Sequence, residues 1–288
     1  MPIDPMGLIL GLLPRAPIGY NQRGLTLERK LETMAYSPQF GAYPRASAAT
    51  TAVFDAGLRA YMLRVYNWMA SGLLLTGVVA YAIANTSLIN AFYHRVPTPF
   101  GFVQQPTALA LIAMFAPLGF VLVLSLGVNK LSTAAAQALF WAFCAVMGAS
   151  LTNIFRIYTG ESIGLVFFIT AGTFAATSLY GYTTKADLSR FGGFLIMGLF
   201  GIIIASVVNL FFHSSAMQFA ISIIGVVVFT GLTMYDTQRI KGSYLQFAYA
   251  EGTDGANKRS VYDALSLYLN FINLFMMLLQ LLGNRNNN

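Results

Sequence analysis

Long stretches of this chain contain no Asp, Glu, Lys, Arg or His, and they alternate with shorter polar connections. The uninterrupted windows are Val65–Tyr93, Val96–Asn129, Leu131–Phe155, Ser162–Thr184, Phe191–Phe212, Ser214–Tyr235 and Ala264–Asn284. Each reaches the roughly 20 residues that a helix rising 1.5 Å per residue needs to cross about 30 Å of hydrocarbon. Runs such as Ile202–Ile204 and Ile223–Phe229 do not alternate apolar with polar residues, which argues against a membrane β-barrel. The expected architecture is therefore all-α: a polytopic membrane protein built as a bundle of seven transmembrane helices. The first span is expected to begin near Tyr66 and the last to cover Tyr262–Leu282. That last segment carries Asn270, Asn273 and Gln280. Polar side chains of this kind are costly against lipid, so the last helix is expected at the centre of the bundle.

Composition agrees with the pattern. Hydrophobic residues make up 57% of the 288 and charged residues only 9%, against about 25% charged in soluble domains. Residues 1–58 lack a sustained apolar period and read as a mostly disordered cytoplasmic arm, with the first 33 residues an extension upstream of Met34. Residues 59–283 form the membrane domain and 284–288 a short tail. The connection Asp236–Val261 reads as the longest inner loop, flexible by composition.

The basic residues orient the bundle. Of the 17 Lys and Arg, fourteen fall on the side of the N-terminus and three (Arg95, Arg156, Arg285) on the other. Without the five most distal residues of the arm the ratio is still nine to three. The positive-inside rule then places the N-terminus in the cytoplasm and the C-terminus outside. The net charge of +7 suggests contact with anionic lipid on the inner face. No basic stripe interleaved with aromatics points to nucleic acid. A single cysteine, Cys144, inside the third span, excludes an intrachain disulfide. No phosphate loop, dinucleotide motif or Cys/His metal cluster occurs, and an enzyme is not expected.

What remains is a small set of polar groups at the membrane. Asp236 ends the charge-free stretch Ser214–Tyr235. A lone carboxylate at the edge of hydrocarbon is costly to keep ionised, so it points to ion or proton handling. The bland alternative is an interfacial acid paired with Arg239, three residues on. Asp263 opens the last span, where the helix dipole alone would favour an acid. Asn270 lies two turns further along one face, about 10.5 Å away. Ser266 and Asn273 could extend the same polar stripe. Such a stripe could face a cavity, or it could serve as hydrogen-bonding glue between helices.

Three segments carry a family signature. They are Ser162–Leu188, ending YGYTTKADL; Tyr235–Ile240 (YDTQRI); and Ala264–Phe275 (ALSLYLNFINLF). Together they resemble the Bax inhibitor-1 family, the transmembrane Bax-inhibitor-motif proteins, and look most like its bacterial branch, over about Ala56–Gly283, which implies a bacterial inner membrane. The resemblance implies a seven-helix bundle with the last helix central and a pH-sensitive calcium leak, with Ca²⁺ as permeant ion and no cofactor. It implies that two aspartates share a proton and gate the pore. Asp236 matches the first, and the second maps onto Asn270. Asn270 cannot ionise; its carbonyl can accept from protonated Asp236, and its amide can donate to the ionised form. Asp263 is the substitute carboxylate, two turns away. The family also ties the first aspartate to a basic residue of another helix, for which Lys130 is the candidate. Asp236 and Asn270 would offer oxygens to Ca²⁺ in passage. The expected partners are the bilayer, Ca²⁺ and protons, with a membrane-bound protease or other membrane protein implied by the resemblance. A non-conducting adaptor that modulates such a protease or a stress response is the alternative function.

Overall fold

The computed structural model describes residues 48–98, 101–127, 130–247 and 252–286. Val53–Asn288 form one compact unit, and the description concerns that unit. Most of the expected arm, residues 1–47, lies outside the described residues.

Seven helices are long and apolar enough to span a membrane. They are α1 (Ala48–Ala84), α3 (Ala108–Gly127), α4 (Thr133–Leu151), α6 (Gly160–Thr183), α7 (Ser189–Phe212), α8 (Ser215–Phe247) and α9 (Gly252–Leu282). Two single-turn helices, α2 (Ile89–Phe92) and α5 (Ile154–Ile157), sit in the connections. Polar side chains mark the helix ends. Ser132 accepts from the Ala135 N–H at the start of α4, and Thr159 from the Ser162 N–H at the start of α6, each satisfying a donor that the first turn leaves free. His213 ends α7 in the left-handed region, φ 51°.

The helix count agrees with the sequence pattern, and three boundaries do not. The first helix starts at Ala48 rather than near Tyr66, so the end of the expected arm is helical. The expected flexible loop Asp236–Val261 is largely helix: α8 continues to Phe247 and α9 starts at Gly252. The reason is an apolar face that outlasts the hydrocarbon. Ile240 and Phe247 on α8 and Val261 on α9 are all buried, although polar residues surround them in sequence. In the connection between α2 and α3, Tyr93–Thr98 (β1) and Gly101–Pro106 (β2) pair as an antiparallel hairpin. The Arg156 guanidinium stacks 4.3 Å over the Tyr93 ring at its base.

The last helix is the central one. Within its spanning window 56% of residues are buried inside the protein, against 11–39% for the other six. It packs against α8, α6 and α4, and hydrogen bonds tie it to α1. Leu267, Tyr268, Leu274 and Leu279 are fully enclosed. The Tyr268 hydroxyl lies 2.6 Å from Thr76 Oγ1 of α1, which donates to the Cys144 carbonyl of α4. Phe140 and Phe143 of α4 meet the Tyr268 ring edge-on, at 6.2 and 5.4 Å. In lipid such close packing and interhelical hydrogen bonding hold helices together, since lipid tails are as apolar as the helices. Gly181 shows the consequence: a Cβ there would run into the Met234 backbone of α8. Past α9 the chain is clamped. The Asn284 carbonyl accepts from Thr159 N and the Asn286 N–H donates to the Ile157 carbonyl, so the expected tail closes on the α5–α6 turn.

Candidate functional site

Asp236 sits on α8 one helical turn before the buried Ile240, and it is only 8% exposed. One carboxylate oxygen, Oδ1, faces Nη2 of Arg239 at 2.9 Å, one turn further along α8. The other, Oδ2, accepts from Ser266 Oγ at 2.8 Å and from Asn270 Nδ2 at 2.7 Å. Ser266 and Asn270 are four residues apart on α9, so they lie on one face of it. Arg239 also donates to Ser266 Oγ at 3.1 Å, which closes the group into a ring. A carboxylate that accepts from three donors, one of them cationic, has the partners of an ionised acid. The pairing with Arg239, weighed from sequence as the bland alternative, and the contact with Asn270 are thus both present. Asp236 latches α8 to the central helix.

The segment around it is hydrogen-bonded to several neighbouring elements. Thr237 Oγ1 lies 2.9 Å from Ser178 Oγ of α6, which lies 2.6 Å from the Tyr66 hydroxyl of α1. Gln238 accepts from the Leu188 N–H and donates to the Ala186 carbonyl, pinning the connection between α6 and α7. Lys241 donates to the Tyr182 carbonyl at 2.8 Å, one of the carbonyls that the end of α6 leaves without a helical partner. Asp236–Lys241 therefore joins α8 to α1, α6, α9 and the α6–α7 connection.

The expected site residues divide. Asp236, Arg239, Ser266 and Asn270 converge. Asp263 does not reach Asp236 directly: its Oδ2 accepts from the Tyr61 hydroxyl of α1 at 2.6 Å. Arg239 and Arg259 are the opposite charges acting on it, and Asp236 is the like charge. Asn273 donates to the Leu269 carbonyl of its own helix and takes no part. Lys130 is exposed in the turn between α3 and α4, and the cation on Asp236 is Arg239 of the same helix. The expected cross-helix basic partner is thus replaced by an intrahelical one, because i and i+3 share a helix face. Among the described residues no cluster of three or more His, Cys, Asp or Glu could hold a metal ion. Asn270 also presents its amide nitrogen, not its oxygen, to Asp236, so the pair forms no ready-made cation cage. Tyr61, Tyr66, Ser178 and Gln238 were missed. Their partners lie 50 to 202 residues away in sequence, and no local pattern announces such contacts.

A sequence model of the family described as "Inhibitor of apoptosis-promoting Bax1" matches residues 58–287. The chain belongs to this family. It is 47% identical over 233 residues to the uncharacterized protein RP147 of Rickettsia prowazekii, covering 81% of this chain and 92% of that one. It is 46% identical over 230 residues to the inner membrane protein YbhL of Escherichia coli K12, covering 80% and 94%. The uncharacterized protein YrjE of Lactococcus lactis is similar at 33% over 241 residues, covering 80% and 94%. The match takes in all seven spanning helices, and with them the whole Asp236 group. The protein is thus an integral membrane protein of the Bax inhibitor family.

Proposed function

We propose that this protein is a passive, acid-modulated, calcium-permeable leak, closed by the contact between Asp236 and α9. The observation that carries the reading is a buried carboxylate on a spanning helix, held by a guanidinium on its own helix and by two donors on the central one. Its charge holds the latch shut. Protonation removes the attraction to Arg239 and turns an acceptor oxygen into a donor that faces donors. The contact between α8 and α9 then weakens, and the population shifts toward bundles in which the two helices part. Acid accordingly raises the leak.

Ca²⁺ takes oxygen ligands from carboxylates, carbonyls, amide oxygens and water. Asp236 supplies a carboxylate once Arg239 turns out to solvent, and Asn270 supplies an amide oxygen once its side chain rotates. Asp263 lies next along α9 and would continue the path. The basic side of the bundle, with Arg239 and Lys241, faces the cytoplasm in this reading.

The experiment is calcium entry into sealed proteoliposomes of the full chain, followed with a trapped indicator from neutral to acidic pH. Entry above that of protein-free vesicles, rising as pH falls, is the expected result. Protein-containing vesicles that admit no more calcium than empty ones at any pH would exclude a leak and favour the non-conducting adaptor.

A further inference from the structure

Between α1 and α6 lies a cleft of about 1090 Å³ with Phe271 of α9 in its floor. Its lining follows α1 from Arg59 to Ala82, which at 1.5 Å per residue is a length of about 35 Å. That length matches the hydrocarbon thickness of about 30 Å. The cleft is open along its side. Leu74, Val78 and Leu179 on its rims are each more than half exposed, and a Cβ added at Gly77 would meet nothing within 4 Å. In a bilayer such a slot is filled from the lipid phase, because water within it would find no partners.

The polar groups of the cleft sort its occupants. The Tyr66 and Ser178 hydroxyls in its wall are engaged with each other and with Thr237, so they select no polar ligand. The Arg59 guanidinium lies at one end, exposed, and has no hydrogen bond or ion pair among the described residues. At the same end the Lys241 ammonium sits 5.1 Å over the Tyr182 ring. One end is therefore cationic and the remainder apolar, which complements an amphiphile with an anionic head and a long tail. A helix of a second copy fits less well. The most lipid-exposed spanning helices, α3 and α7, carry no Asp or Glu to set against Arg59.

We propose that the α1–α6 cleft binds an anionic glycerophospholipid, with an acyl chain in the slot and the headgroup phosphate on Arg59. The inference rests on the cleft alone and does not depend on the leak reading. The test is native mass spectrometry of the full chain titrated with phosphatidylglycerol or with phosphatidylcholine of matched chains. Phosphatidylglycerol should give a retained one-to-one adduct. Arg59→Gln should weaken it about fivefold, the effect of one cation on an anionic lipid, and leave phosphatidylcholine unchanged. Gly77→Leu with Ala175→Phe, which fills the slot, should abolish the adduct at unchanged helical content. If the double variant misfolds, Gly77→Leu alone is read, since its side chain grows into open space. The proposal is overturned if the two lipids bind alike, if Arg59→Gln binds phosphatidylglycerol as the parent does, if the filled variant keeps the lipid, or if a protein dimer appears in place of the adduct.

Discussion

Asp236→Asn keeps the shape of the side chain and removes its charge, so it isolates the latch. An asparagine has one acceptor oxygen and one amino group, where the carboxylate offers two acceptors. With the oxygen turned toward Ser266 and Asn270, the amino group opposes the Arg239 guanidinium, donor against donor. Arg239 is 47% exposed and can turn to water, so the loss there is that of a surface ion pair, about 0–1 kcal/mol. The two bonds to α9 fall from the charge-assisted range of about 1.5–3 kcal/mol to the neutral range of about 0.5–1.5 kcal/mol, a loss of about 1 kcal/mol each. The latch therefore weakens by about 2 kcal/mol, which at 1.4 kcal/mol per tenfold shifts the equilibrium between closed and parted bundles about 30-fold. Water that replaces these donors in the parted state makes this an upper figure. Calcium entry into proteoliposomes reads it directly. At neutral pH the variant should leak at the level that the parent reaches only in acid, and its pH profile should be flat. A variant profile that superimposes on the parental one, at unchanged helical content, would refute the role given to this carboxylate.

Asn270→Asp places a second carboxylate where an amide now donates at 2.7 Å. Two such groups cannot both ionise cheaply, so the flux profile should gain a second titration step that Asn270→Ala lacks. Arg239→Gln should raise neutral-pH flux several-fold while Lys130→Gln leaves it unchanged, and the reverse ranking would return the cross-helix cation to Lys130. Gly181→Ala should lower the melting temperature through overpacking against the Met234 backbone, at about 1–3 kcal/mol, and differential scanning fluorimetry with Gly193→Ala as control reads it. Hydrogen bonding from the Ser189 side chain, together with the Ser189 N–H at 2.9 Å at the start of α7, holds the Asp187 carboxyl below the ordinary value of 3.8. A carboxyl lowered on folding stabilises the protein above that value and loses the contribution as pH falls below it. Asp187→Ala should therefore narrow the gap in melting temperature between neutral and strongly acid buffer, and an unchanged gap would refute a contribution of Asp187 to stability.

The sequence by itself determined the seven spans, because a charge-free run long enough to cross hydrocarbon has few other uses. It also put the last helix at the centre. Asn270, Asn273 and Gln280 could not face lipid, and the buried share of α9 agrees with that reasoning. Asp236 stood out for the same reason, as a carboxylate where carboxylates are expensive. The ends of the helices were not legible. Polar residues after Tyr235 look like a loop, although an apolar face through Ile240 and Phe247 carries α8 onward. Only the tertiary structure decided the partners. It gave Asp236 to Arg239, Ser266 and Asn270, sent Asp263 to Tyr61 of α1, and left Lys130 exposed in the turn between α3 and α4. Hydropathy is a property of each residue and can be read one position at a time. A hydrogen bond between α1 and α9 spans 202 residues of chain, and its partners are fixed only when the packed helices set their rotation and height.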